Sequence, residues 1–217
     1  AILELGKTCD IVFETMKPGS MKKMGLDYEA FKAVKPDIIY CSISAFGQTG
    51  PKAKDPGFDI LAQACSGIMD MTGERNGPPV KSGVIISDFI SGKDAFGACM
   101  VALFHRFRTG EGQMIDVAMQ QCLASMNPFL EQATNGKDPH RQGNHSAGSV
   151  FKGPNDEYLV IAAHPDRHFA KLCTQVLERP ELVDDPRFVG GQNRANHYRE
   201  LADIIEEWMS KFDSVDE

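Results

Sequence analysis

Asp37-Ile38-Ile39-Tyr40-Cys41-Ser42-Ile43-Ser44 (residues 37–44) is the clearest strand in the chain, rich in β-branched residues and preceded by a helix-stopping Pro36. Upstream, Asp10-Ile11-Val12-Phe13 reads as a short buried strand, Lys17-Pro18-Gly19 as a turn, and residues 27–34 as a helix. Strand, helix and strand at this spacing predict a βαβ unit, and hence a parallel sheet in an α/β fold.

Downstream, a loop rich in Gly and Pro from Phe46 to Gly57 leads to a helix over 58–71, and Thr72 to Pro79 forms a second polar loop. A long helix follows over 89–107, with Asp88 at its N-cap and Gly110 and Gly112 ending it. Gln113 to Ala118 is a further strand, and another helix runs to about Ala133. From Asn135 the composition shifts: Gly136, Pro139, Gly143 and Gly148 with polar neighbours mark a boundary. The expected domains are 1–134 and 135–217. The second carries a strand at 158–163 and helices at 165–177 and 195–211.

The chain has 217 residues, 42% hydrophobic and 24% charged, ordinary values for a globular protein. No apolar run reaches the ~18 residues of a membrane span. The first residues lack the basic and apolar regions of a signal peptide and an initiator Met, so the start looks cut. Six cysteines stand singly, without a CxxC pair, which reads as small buried hydrophobes in a reducing cytoplasm and gives no zinc ribbon or redox dithiol. A net charge of −7 argues against a nucleic-acid partner. No Walker A loop and no GxSxG elbow occur. Gln63-Ala64-Cys65-Ser66-Gly67 superficially matches a caspase segment, but Ser66 breaks the pattern and no His precedes His105, so Cys65 reads as core. His164 and His168 are four apart, yet Pro165 sits between them and no third ligand is evident, so no metal site is expected.

Three stretches together resemble the family III coenzyme A transferases, the group of formyl-CoA and carnitine CoA-transferases. The first is Glu14-Thr15-Met16-Lys17-Pro18-Gly19-Ser20-Met21-Lys22-Lys23-Met24-Gly25-Leu26. The second runs from Tyr40 to Pro51 and on through Pro56-Gly57-Phe58-Asp59-Ile60-Leu61. The third is Ser87-Asp88-Phe89-Ile90-Ser91-Gly92, leading to Thr109-Gly110-Glu111-Gly112-Gln113. A fourth, from Gly143-Asn144-His145 to Asp185-Pro186-Arg187-Phe188, is similar to the start of the family's small domain.

The resemblance implies a Rossmann-like large domain, incomplete here, followed by part of a small α+β domain. It implies CoA transfer between carboxylic acids, with the aspartate matching Asp88 as nucleophile, through an aspartyl anhydride and an aspartyl-CoA thioester. A free Asp has a pKa near ~3.9, so it needs no partner base to attack. Asp59 matches an acidic position near the reacting centre, and reads equally as a helix-terminal cap. Lys17, Lys23, Met24 and Phe58 are implied at the coenzyme A site, and Gly143, Asn144 and Gly148 in a glycine-bearing loop over it. For each there is a plainer reading: solvated lysines, an interdomain linker, and for Asp88 itself a simple N-cap. Thr15 and Met16 depart from the family's Asn-Phe, which bears on how adenine is held.

The family also implies an acyl-CoA and a carboxylic acid as substrates, no permanently bound cofactor, and a homodimer of interlocked rings. The same fold hosts α-methylacyl-CoA racemases, which use a His before the acidic residue; Phe58 stands there and cannot carry a proton. Racemase or epimerase, and a non-catalytic acyl-CoA-binding piece with exposed sheet edges, are the alternatives.

Overall fold

The computed structural model describes residues 1–73, 77–127 and 148–216. The chain forms two compact units, Ala1–Arg141 and Gln142–Glu217. The boundary expected at 134/135 lies outside the described residues, as do Gly143 and Asn144.

The first unit is mixed α/β. Its elements are α1 (Ile2–Gly6), β1 (Ile11–Glu14), α2 (Ser20–Lys23), α3 (Tyr28–Val34) and β2 (Ile39–Ser44). They continue through α4 (Asp59–Cys65), α5 (Ile68–Met71), α6 (Ile86–Thr109), β3 (Gln113–Ala118) and α7 (Met119–Ser125). The sheet order is β1-β2-β3, all parallel, with Ile11 opposite Ile39 and Ile39 opposite Gln113. All six residues of β2 are buried, as a central parallel strand covered on both faces requires.

One alternation of β2, Cys41 and Ile43, joins Ala62, Ala95, Cys99 and Leu123 in the larger core of this unit. The other meets Phe31 through Tyr40, whose ring lies 5.9 Å from that of Phe31 and whose hydroxyl donates to the Leu26 carbonyl at 3.2 Å. Burial raises the Cys41 thiol pKa to about 12, with the neighbouring Cys99 adding to it, so Cys41 is a core thiol.

α6 meets the sheet through small residues: Ser87, Ser91, Ala95, Cys99 and Ala102 are its buried positions. In its last turns Arg106 donates to the carbonyls of Asp10 and Asp37 and pairs with the Asp10 carboxylate at 2.7 Å, anchoring the helix where β1 and β2 begin. Gly110 ends it with φ +78, the left-handed C-cap that glycine adopts without strain. At Gly112 an added Cβ would strike the backbone of Asp37 and Ile38, so β3 can begin there only with glycine.

Several expected boundaries shift. The helix expected over 58–71 breaks at Gly67, φ +79, into α4 and α5. The strand and helix of the N-terminal βαβ unit appear as read, with Asp27 capping α3 by accepting from the Ala30 N–H at 3.2 Å. Cys65 is exposed, not core, at the C-terminal end of α4.

In the second unit β4 (Gly148–Lys152) pairs antiparallel with β5 (Tyr158–Ala162). α8 (Asp166–Lys171) runs into a π turn at Leu172–Val176, and a 3-10 turn follows at Pro180–Val183. The helix expected at 195–211 is two, α9 (Gly191–Asn196) and α10 (Tyr198–Met209), separated at His197. Phe151, Phe169, Phe188, Leu201 and Ile205 centre its core. Arg194 is buried there, with its guanidinium 4.6 Å from the Phe169 ring, donating to the carbonyls of Phe188 and His164 and to Asp166.

Candidate functional site

Asp59 reaches the N-terminal end of α6 by bonding to Ser87, the residue before Asp88. The helix opens one turn earlier than expected, at Ile86, and its N-cap residue, Ile85, has no side-chain acceptor. Asp88 is therefore the third residue of the helix and not its N-cap. The cap comes from outside: Asp59 Oδ1 accepts from both the backbone N–H and the hydroxyl of Ser87, each at 2.9 Å. A carboxylate at this end also complements the positive pole of the helix.

The second oxygen of Asp59 is engaged as well. Gln63, one turn along α4 and fully buried, donates from Nε2 to Asp59 Oδ2 at 2.7 Å. Its Oε1 accepts the backbone N–H of Ser82 at 2.9 Å. Ser82 lies in the segment that leads into α6. Sequence reasoning missed Gln63 and Ser87 as members of this network, because a glutamine in a helix and a serine in its first turn carry no distinguishing spacing.

With the capping done by Asp59, Asp88 is left exposed, and no described residue bonds or ion-pairs with its carboxylate. An exposed carboxylate on the first turn of a long helix is open to an electrophile. Phe58, the N-cap of α4, is 77% exposed beside Asp59 and offers an apolar ring and no proton. Gly148 opens β4 opposite Ala162 in the second unit.

The basic residues lie along another wall. A cavity of about 320 Å³ is lined by Glu14, Lys17, Lys22, Tyr28, Tyr40 and Gln48, among others. Of the lysines expected to act together, Lys17 lines it and Lys23 does not; Lys22, on the same short helix, takes that place. Met24 is exposed and outside the lining. Neither Asp59 nor Asp88 belongs to this wall.

The return loop after β2 contributes Gln48 to the cavity lining and is held by polar side chains of β2 and β3. Ser44 Oγ accepts from the Gly47 N–H at 3.0 Å, and Ser42 Oγ accepts from Gln48 Nε2 at 2.7 Å. Asp116 on β3 accepts the Gln48 N–H at 2.8 Å. These bonds explain why a central strand carries two serines. Tyr40 is kept protonated well above its ordinary pKa, chiefly by burial and then by the negative charges of Glu14 and Asp27.

The family pattern described as CoA-transferase family III matches residues 1–216. The chain belongs to CoA-transferase family III. It is 37% identical over 210 residues to the succinyl-CoA:glutarate CoA-transferase of Mus musculus, covering 94% of this chain and 48% of that protein. It is 38% identical over 219 residues to the acetyl-CoA:oxalate CoA-transferase of Acetobacter aceti, covering 96% and 55%. A solved CAIB/BAIF family protein from Brucella suis aligns with TM-score 0.77 and 39% identity, over 96% of this chain and 56% of that one. The chain thus spans about half the length of the curated relatives it matches. Among the described residues no helix is long and apolar enough to cross a membrane.

Proposed function

We propose that the chain carries the nucleophile-bearing part of a CoA-transferase, and that Asp88 is the nucleophile. The observation that carries this reading is the division of labour at the start of α6. Asp59 takes over the capping that a lone aspartate would otherwise perform, and Asp88, in the same turn, keeps an exposed carboxylate that no described residue bonds.

An oxygen of Asp88 attacks the thioester carbonyl of an acyl-CoA. The C–S bond breaks, giving a mixed anhydride and the CoA thiolate. The thiolate attacks the Asp88 carbonyl of the anhydride, releases the donor carboxylate and leaves an Asp88-CoA thioester. An acceptor carboxylate then attacks this thioester, forming a second anhydride and freeing the thiolate. The thiolate attacks the acceptor's carbonyl, and Asp88 leaves as carboxylate. Each step exchanges one activated acyl bond for another, so no phosphoryl donor is consumed.

Asp59, with three donors on its two oxygens, acts by positioning this turn. Lys17, with Lys22 and Lys23, is suited to the phosphates of coenzyme A, and Met24 and Phe58 to its apolar parts. Coenzyme A is a substrate here, not a resident group. The full-length protein works as a homodimer in the cytoplasm. Several relatives are named for short dicarboxylic acids (glutarate, mesaconate and oxalate), so the acceptor belongs to that class.

Intact-mass analysis of the full-length protein with succinyl-CoA, then hydroxylamine, tests the reading. The expected result is an adduct, and after trapping a hydroxamate, at Asp88 in the wild type and neither in Asp88→Ala. Transfer to glutarate, mesaconate or oxalate is expected to vanish with it. Acyl-CoA binding that leaves Asp88 unmodified would overturn the mechanism.

A further inference from the structure

We propose that Gln63 is a positioning residue for the transfer reaction, setting the first turn of α6 through Asp59; this rests on the reading of Asp88 as nucleophile. The side-chain amide closes a ring of hydrogen bonds. From Gln63 Nε2 it passes to Asp59, from Asp59 to Ser87, back along the chain to Ser82, and from the Ser82 N–H to Gln63 Oε1. The ring encloses residues 82–87, the segment that delivers Asp88. Ser66, the residue after α4, turns its hydroxyl back onto the Gln63 carbonyl at 2.9 Å.

The demands on position 63 are narrow. One end must accept, because it faces a backbone N–H; the other must donate, because it faces a carboxylate. The side chain is fully buried, so water cannot substitute for either partner. Methionine matches the length and removes both bonds. Glutamate keeps the acceptor for Ser82 but sets a second carboxylate 2.7 Å from Asp59, where the donor now stands. Asparagine is one methylene too short to span both partners. Gln63 touches no reacting atom, so its effect is on the placement of Asp88 and not on substrate affinity.

The experiment uses the full-length protein with succinyl-CoA and glutarate, measuring kcat, KM and the rate of Asp88 hydroxamate formation. Gln63→Met is expected to lower kcat and the hydroxamate rate about tenfold or more, with KM for succinyl-CoA within about twofold. Gln63→Glu is expected to be at least as impaired. The pair Asp59→Asn with Gln63→Glu exchanges donor and acceptor, and restores most of the rate lost in Gln63→Glu alone. A general loss of packing would not be repaired by that exchange, so the rescue separates positioning from mere stability. Amide exchange of residues 82–88 is expected to speed up in Gln63→Met and to recover in the exchanged pair, while β2 stays protected.

A wild-type kcat in Gln63→Met overturns the proposal, as does an exchanged pair no better than Gln63→Glu; in both cases a labelled wild-type Asp88 leaves the parent reading standing. If the wild type shows no Asp88 hydroxamate, both readings fall together.

Discussion

Asp59 shows how much can hang on one carboxylate. It accepts three hydrogen bonds, two from Ser87 and one from Gln63, and it caps a helix from 28 positions away. Asp59→Ala leaves the Ser87 N–H and the buried Gln63 amide without a partner, which costs about 1–3 kcal/mol. Asp59→Asn retains the acceptor for Ser87 and is expected to lose less. Urea unfolding of the three proteins tests the order; equal stabilities would show that the cap contributes nothing. The aspartates themselves were legible as members of motifs, and their pairing was not. Local preference points to Asp88 as the N-cap, because Asp is favoured there. The acceptor instead arrives through the tertiary fold, and an Ile occupies the cap position.

The strands and helices of the first unit were largely readable, since β2 combines β-branched residues with an upstream Pro and a downstream glycine-rich loop. Helix α6 is harder, because its large residues face outward. Phe89, Phe96, Phe104 and Phe107 are exposed, while Ala95, Cys99 and Ala102 face the sheet. Hydrophobicity alone assigns the wrong face to the core; the small residues matter because they allow the helix to approach β2 and β3 closely. Ala95→Leu therefore forces three extra carbons into a filled space and is expected to cost about 1–3 kcal/mol. Its neighbour Phe96→Ala, in the 217-residue chain, is expected to stay within about 0.5 kcal/mol. Denaturant midpoints decide it, and a Phe96→Ala loss larger than that of Ala95→Leu would reverse the assigned faces. The short elements escaped notice for a different reason: α1 and α2 span five and four residues, too few for a periodicity to emerge.

At the scale of the whole chain, the two units have separate cores and different electrostatic dependence. In the second, the Arg187 guanidinium bonded to Asp185 holds that carboxyl at about 2, and His197 followed by Arg187 lowers Glu200. Glu181 is lowered by its bond from Arg179 and Asp156 by its bond from Lys152. Among the described residues of the first unit, Asp37 is lowered, chiefly by its bond from Lys35. A carboxyl whose folded pKa lies below its unfolded value contributes stability that is present above the unfolded value. That contribution disappears as pH falls from the ordinary carboxylate range near ~4 toward the folded value. The second unit is thus expected to lose more stability than the first between about pH 4 and pH 2. These pairs are exposed, so high salt is expected to flatten the difference. Hydrogen exchange across an acid series, comparing residues 148–216 with residues 1–127, measures it directly. Arg187→Met removes the largest of the depressions, so the second unit of that variant is expected to be weaker at pH 7 and to converge on wild type near pH 2. If the two units lose protection in parallel, or Arg187→Met keeps the wild-type acid slope, the carboxylates of the second unit do not set its acid sensitivity.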